Sequence, residues 1–181
     1  MLMIGCIATM PLRSEVIDVQ VNGFLASNEA VIKAPPDRVY RALLRVGKWW
    51  DPAHTYSGDA EQLQLDAQPG GCFCEQIPGK GAIEHMRVVY VSGNSTLRLV
   101  GGLGPLQELG VSGSLTWNLE PAESGTKLML TYNVGGYRQN GFSDLAPLVD
   151  QVLLIQLRRL KQFAETGKPV LPGTSATTPA Q

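Results

Sequence analysis

Apolar residues recur along this chain at two different periods, and the changes between them mark out its elements. After Pro35 and Pro36, Val39, Leu43 and Val46 recur at helical spacing, with Tyr40 and Leu44 widening the stripe. Pro36 suits a first helical turn, where its missing N–H would be unpaired anyway. Gly47 is placed to end that helix, and Trp49-Trp50-Asp51-Pro52 cannot prolong it, because Pro52 disfavours the helical region at Asp51. From Glu61 onward the period is two. Turn signals at Pro69-Gly70-Gly71, Pro78-Gly79, Ser92-Gly93-Asn94 and Ser124-Gly125 divide this stretch. The predicted strands are Leu63 to Asp66, Cys72 to Ile77, Ala82 to Val91, Thr96 to Gly101, Gly113 to Glu120 and Thr126 to Val134. Short turns make them an antiparallel meander. Leu115, Trp117 and Leu119 share one face, as do Leu128, Leu130, Tyr132 and Val134.

Two further elements flank this meander. Phe24 to Ile32 (FLASNEAVI) reads as a first strand, with Ser, Asn and Glu interrupting its apolar positions. At the other end Leu145, Val149, Val152, Leu153, Leu157, Leu160 and Ala164 form a broad helical stripe, with Ser143 or Asp144 as its cap and Gly167 then Pro169 as its stop. A strand, a short helix, a meander and a long amphipathic helix suggest an α+β domain whose sheet grips the last helix around a cavity.

Length and charge narrow the classes. The 181 residues make one domain, and at this size roughly 70% of the unfolded surface is buried, so no metal or disulfide staple is required. Fifteen basic and sixteen acidic residues leave a formal charge of −1, with no Lys/Arg run to track a phosphate backbone, so nucleic acid is not an expected partner. Cys6, Cys72 and Cys74 are an odd count that gives no disulfide framework, which fits a reducing compartment. The division expected is an apolar N-terminal segment over 1–22, a ligand-binding domain over 23–167 and a disordered tail over 168–181. The start, MLMIGCIATMPL, is similar to the end of an export signal without its basic beginning. As written the chain reads as cytoplasmic, and as periplasmic if the start is truncated. No stretch is long enough to serve as an integral membrane span.

Several motifs carry candidate chemistry. The loop WWDPAHTYSGD places His54 near Asp51, Tyr56 and Asp59, where an imidazole can exchange a proton or lock the loop by hydrogen bonding. Of Trp49 and Trp50, one is expected in the core and one on the cavity wall. Glu75 and His85 fall on strands joined by the Pro78-Gly79 turn. Pairing about that turn sets Glu75 opposite Glu84, or opposite His85 after a slip of one residue. Alternation puts His85 and Arg87 on one face and Glu84, Met86, Val88 and Tyr90 on the other. His85 is therefore either half of a cavity-facing acid/base couple or a surface residue bridged to Glu75. Cys72-Phe73-Cys74 lacks the usual zinc spacing, so the expectation is small buried hydrophobes and no metal. The segment Gly101 to Gln107 is not a phosphate loop. It reads as an apolar flap carrying Leu103 and Leu106, or as a loop packed on the final helix.

From Phe24 to Gly167 the chain resembles the START-related (SRPBCC) superfamily, and within it the polyketide cyclase/dehydrase and heat-shock ATPase-activator-like (AHSA-like) groups. The resemblance rests on VIKAPPDRVYRALLRVGKWWDPAHTYSGDA, PGGCFCE, EHMRVVYVSGNSTLRLVGGLGPLQ, and GTKLMLTY with the closing helix. It implies a helix-grip fold, a curved antiparallel sheet of about seven strands around the long C-terminal helix, enclosing a cavity for apolar small molecules. Members of this fold include lipid carriers, hormone receptors, cyclases and chaperone regulators, and no universal catalytic residue carries over. The leading expectation is binding of a small hydrophobic or aromatic ligand or lipid, with no cofactor. The expected lining is Trp49, Trp50, His54, Tyr56, Glu75, His85, Leu103, Leu106, Trp117 and Tyr132, with Glu75 and His85 orienting a hydroxyl or carbonyl. One alternative is a cyclase or dehydratase acting on an aromatic or polyketide-like substrate, using His85 or His54 as base and Glu75 to return the proton. A chaperone-regulating interaction module is the other.

Overall fold

A computed structural model describes residues 12–169. Eight strands form one open antiparallel sheet: β1 (Arg13–Gln20), β2 (Gly23–Ile32), β3 (Leu63–Leu65), β4 (Cys72–Ile77), β5 (Gly81–Ser92), β6 (Thr96–Gly101), β7 (Ser112–Ala122) and β8 (Gly125–Gly135). Their spatial order is β1-β2-β8-β7-β6-β5-β4-β3, so the meander from β3 to β8 returns beside β2. Helix α1 (Pro36–Leu44) follows β2, and helix α2 (Ala146–Thr166) closes the described chain. This is the helix-grip arrangement of an α+β domain.

Strand β1 was not anticipated. Arg13–Gln20 alternates poorly, with Ser14, Val16 and Val19 half-buried, and its register on β2 shifts between Val16 and Asp18. The sheet thus begins ahead of residue 23, inside the segment set apart as an apolar leader. Residues 1–11 of that segment, and 170–181 of the expected tail, lie outside the described residues. Among the described residues no helix is long and apolar enough to cross a membrane.

Both helices form where their stripes demand, with differences at the ends. Helix α1 buries Val39, Tyr40, Ala42 and Leu43 and stops at Leu44, while Val46 falls in a separate single turn, Val46–Lys48. The reason lies in Arg45, whose backbone (φ −91°, ψ 50°) leaves the helical region before Gly47 is reached. Helix α2 is not capped by Ser143 or Asp144. Leu145 occupies the cap position with no side-chain bond, and Asp144 instead takes two hydrogen bonds from the Arg138 guanidinium, at 2.5 and 2.9 Å. Gly167 ends the helix in the left-handed region (φ 70°), its N–H donating to the Phe163 carbonyl.

The stripe of α2 has two halves. Leu157, Leu160, Phe163 and Ala164 are buried in solid core, whereas Leu145, Val149 and Val152 are only partly covered. Three polar residues are buried on the same helix: Asp150, Gln156 and Arg159. Asp150 ties the helix to the sheet, taking hydrogen bonds from Ser14 Oγ of β1 at 2.6 Å and from Asn28 Nδ2 of β2 at 2.8 Å. Hydrogen bonds to a charged group stabilise more than neutral ones, and a buried donor left without its acceptor is costly. Asp150→Ala should therefore destabilise the fold by about 2 kcal/mol, read as a lower urea midpoint at unchanged slope; an unmoved midpoint would contradict this role.

Candidate functional site

A cavity of about 500 Å³ lies between the concave face of the sheet and the N-terminal half of α2. That volume falls in the range of small-molecule sites. Trp50, Phe73 and Leu63 form one wall and Val149, Val152 and Leu153 the other, with Leu103 and Leu106 closing over it. His54, Thr55, Tyr56, His85 and Glu108 are its polar-bearing residues. The half-covered stripe of α2 is thus explained: it faces this space.

One wall is a loop suspended from α2. Arg159 Nε donates to the Trp49 carbonyl at 2.8 Å, and its Nη2 to the Trp50 carbonyl at 3.3 Å. One turn earlier, Gln156 accepts from the Asp51 N–H at 2.9 Å and donates through Nε2 to His54 Nδ1 at 3.0 Å. An amide nitrogen only donates, so His54 Nδ1 is an acceptor and the neutral ring carries its proton on Nε2. The Asp51 carboxylate accepts from Ala53 N–H at the head of the turn Pro52–His54, and Trp50 Nε1 donates to the His54 carbonyl. The loop then runs to Tyr56 and Ser57, whose N–H groups both point at Glu75.

Glu75 is completely buried on β4. Its Oε2 accepts from Tyr56 N–H at 3.1 Å and lies 3.0 Å from His85 Nε2, while Oε1 accepts from Ser57 N–H. Burial alone pushes a carboxyl up, but the hydrogen bonds from Ser57, Tyr56 and His85 together outweigh it and hold Glu75 below its ordinary value of 4.5. Burial is also the main influence on His85 and lowers it below 6.5, against the opposing pull of Glu75. The pair at neutral pH is a carboxylate and a neutral imidazole.

His85 reaches Glu75 through an irregularity in the sheet. Glu75 pairs with Ile83, not with Glu84 or His85, and the register jumps so that Phe73 faces Met86 while Cys74 faces Glu84. His85 is the extra residue of a β-bulge, which re-aims side chains locally. His85, Met86 and Val88 are therefore all buried, while Glu84, Arg87, Val89 and Tyr90 are exposed. Simple alternation had set His85 and Met86 on opposite faces, and the reading of His85 as a surface residue is corrected here. Gly101 of β6 packs against this bulge. A Cβ at Gly101 would stand 2.7 Å from the His85 carbonyl oxygen, and its φ of +155° also disfavours a side chain.

Four of the expected lining residues are placed away from the cavity. Trp49 is in the core, its Nε1 donating to the Ala42 carbonyl at 3.0 Å and its ring edge-on to Trp117 at 6.0 Å, so Trp117 is core as well. Tyr132 lies under the flap: its hydroxyl donates to the Gly101 carbonyl at 2.9 Å and accepts from Leu103 N–H at 3.1 Å. Burial pushes that phenol up to about 12, the Leu103 hydrogen bond acting against it. Glu75 stands behind His85, outside the lining. The structure brings Trp50, His54, Tyr56, His85, Leu103 and Leu106 together around the space. Sequence reasoning missed Gln156 and Arg159, although two polar residues three apart within an apolar stripe are a visible signal of buried anchoring. It also missed Phe73, masked by its two cysteine neighbours.

Those cysteines are not small buried hydrophobes. Phe73 and Glu75 take the inward positions of β4, so period two sends Cys72 and Cys74 to the outer face, half-buried. They are joined there as a disulfide across a Cα–Cα distance of 5.4 Å, which corrects the expectation of unbridged thiols. The Glu84 carboxylate lies beside them on that outer face, away from the cavity.

The fold and cavity together define a helix-grip protein. No protein-family profile matches the chain, and no curated protein sequence matches it. Solved structures do. EF2215, a conserved protein from Enterococcus faecalis, is similar over 91% of this chain and 81% of its own, with TM-score 0.60 and 18% identity. CalU16 from Micromonospora echinospora matches 89% of this chain and 88% of its own, with TM-score 0.60 and 14% identity. DynU16, from the dynemicin biosynthetic locus, matches 80% of this chain and 48% of its own, with TM-score 0.58 and 20% identity. At such identities the likeness is one of fold.

The Glu75–His85 pair makes stability depend on pH with a definite sign. Both groups are depressed on folding, so each contributes stability that is complete above its unfolded value, 6.5 for His85 and 4.5 for Glu75, and is lost as pH falls through its folded value. Between about pH 7 and about pH 5, the melting temperature of the wild type should fall further than that of His85→Phe. Parallel curves would show that His85 is not held neutral by burial.

Proposed function

We propose that this protein binds a small hydrophobic or aromatic molecule, or the chain of a lipid, in the cavity between its sheet and α2. The observation that carries the reading is an apolar space of about 500 Å³ with a buried imidazole in its wall. Such a combination provides affinity by burying apolar surface and selectivity through few polar atoms. The helix-grip fold, the SRPBCC resemblance of the sequence and the likeness to CalU16 and DynU16 support it.

A second reading has a specific observation behind it. The buried Glu75–His85 pair, 3.0 Å apart, has the form of a histidine base oriented by a carboxylate. In a cyclase or dehydratase working on an aromatic or polyketide-like substrate, His85 would take the proton. Glu75, held as a carboxylate by three hydrogen bonds, would orient His85 and stabilise its charged form and would not return the proton itself. His54, whose Nδ1 is engaged by Gln156, fits loop anchoring better than proton transfer.

Filling the cavity tests the binding function. Val152 is half-buried and lines the space from α2, so Val152→Trp adds bulk there with little strain in the packed core. Nile red should bind the wild type and bind Val152→Trp about tenfold more weakly, at a nearly unchanged melting temperature. Equal binding by the two proteins would place the probe elsewhere.

A further inference from the structure

The geometry points to His85 Nδ1 as the acceptor that meets a ligand's hydrogen-bond donor, so that the cavity selects an apolar, largely aromatic molecule carrying one O–H, such as a phenol or an enol. This inference rests on the proposed binding function and adds the polar half of the ligand.

Glu75 sets the tautomer of His85. Its carboxylate is not presented to a ligand at this site, since it faces Tyr56 N–H, Ser57 N–H and His85 Nε2 and lies outside the cavity lining. As an ionised acceptor it can receive only a proton-bearing nitrogen, so His85 carries its proton on Nε2. The lone pair is then on Nδ1. That atom is buried and has no hydrogen-bond partner, in a residue only 5% exposed that lines the cavity. Buried polar atoms are nearly always paired, so an orphan on a ring that lines an apolar cavity marks where a ligand's donor would complete the site.

The surroundings fix what that partner is. The imidazole is held between Phe73, at 5.2 Å and 41°, and Tyr56, at 5.9 Å and 34°, which keeps its ring plane and its bond to Glu75 in place. Phe73 is buried, whereas Tyr56 is 43% exposed, so the Tyr56 side of the imidazole is the more open of the two. Two neighbouring polar atoms of the wall are already occupied. His54 Nδ1 accepts from Gln156, and Thr55 Oγ1 donates to the Pro52 carbonyl. A ligand whose only polar atom is a carbonyl or ether oxygen presents a lone pair to a lone pair at His85, and a ligand with a hydroxyl does not.

Calorimetric titration with naphthol, its methyl ether and naphthalene separates these points. Naphthol should bind about tenfold more tightly than the ether, and in His85→Phe the two should differ by less than about twofold. Equal affinities in the wild type, or a preference for the ether, would overturn the role of His85 while leaving the cavity reading intact. Binding of none of the three would overturn the cavity reading itself. Should His85→Phe fail to fold, nitrogen NMR of the histidine-labelled wild type decides. Naphthol should shift the His85 Nδ1 resonance and the ether should leave it in place, and an unmoved Nδ1 with naphthol bound would refute the inference.

Discussion

A fully buried carboxylate, that of Glu75, is the constraint around which this cavity is arranged. Removing such a charge from water costs several kcal/mol, roughly, unless its lone pairs are met. Here two of the three groups that meet it come from the loop at Tyr56 and Ser57, and the third is His85. The loop in turn is held by Gln156 and Arg159 of α2. Sheet, loop and helix are therefore joined at one point. Anything that moves α2 along the sheet withdraws donors from Glu75, and anything that neutralises Glu75 loosens the wall of the cavity.

The same arrangement explains why the cavity exists in a domain otherwise well packed. Bulky aromatics fill the core beside it, with Trp49, Trp50, Trp117 and Phe73 meeting ring to ring at 5.4 to 6.0 Å. The loop cannot collapse onto the sheet at the N-terminal half of α2, because its backbone is tied at Trp49, Trp50 and Asp51 to the helix and at Tyr56 and Ser57 to β4. On the other side Tyr132 fixes the backbone of Gly101 and Leu103, so the flap is held over the space from below. Polar bonds hold the walls apart and apolar side chains line what remains.

Much of the fold was legible because its strongest elements repeat their pattern over many residues. β8 alternates cleanly, β7 repeats its apolar residues at Leu115, Trp117 and Leu119, α2 carries a stripe several turns long, and Pro36 and Gly167 mark ends by their backbone chemistry. β1 was hidden because five of its eight residues are exposed and its register breaks at Ile17. The site was legible in its residue types and not in its geometry. Glu75 and His85 were recognisable as a pair, but a bulge depends on the mismatch between two strands and leaves no periodic trace in either. Trp49, Trp117 and Tyr132 were indistinguishable from lining residues, since an aromatic on an inward face belongs to core or cavity according to what packs opposite it.

The central claim is that the space between sheet and α2 holds a small apolar molecule. Native mass spectrometry of the protein purified from its own host, compared with the same sample after denaturation, tests it most directly. The expected result is a mass excess in the native spectrum that disappears on denaturation, with release of an apolar compound small enough for a cavity of about 500 Å³. A protein that flies at its own mass, and gains nothing after incubation with an organic extract of the same cells, would contradict it.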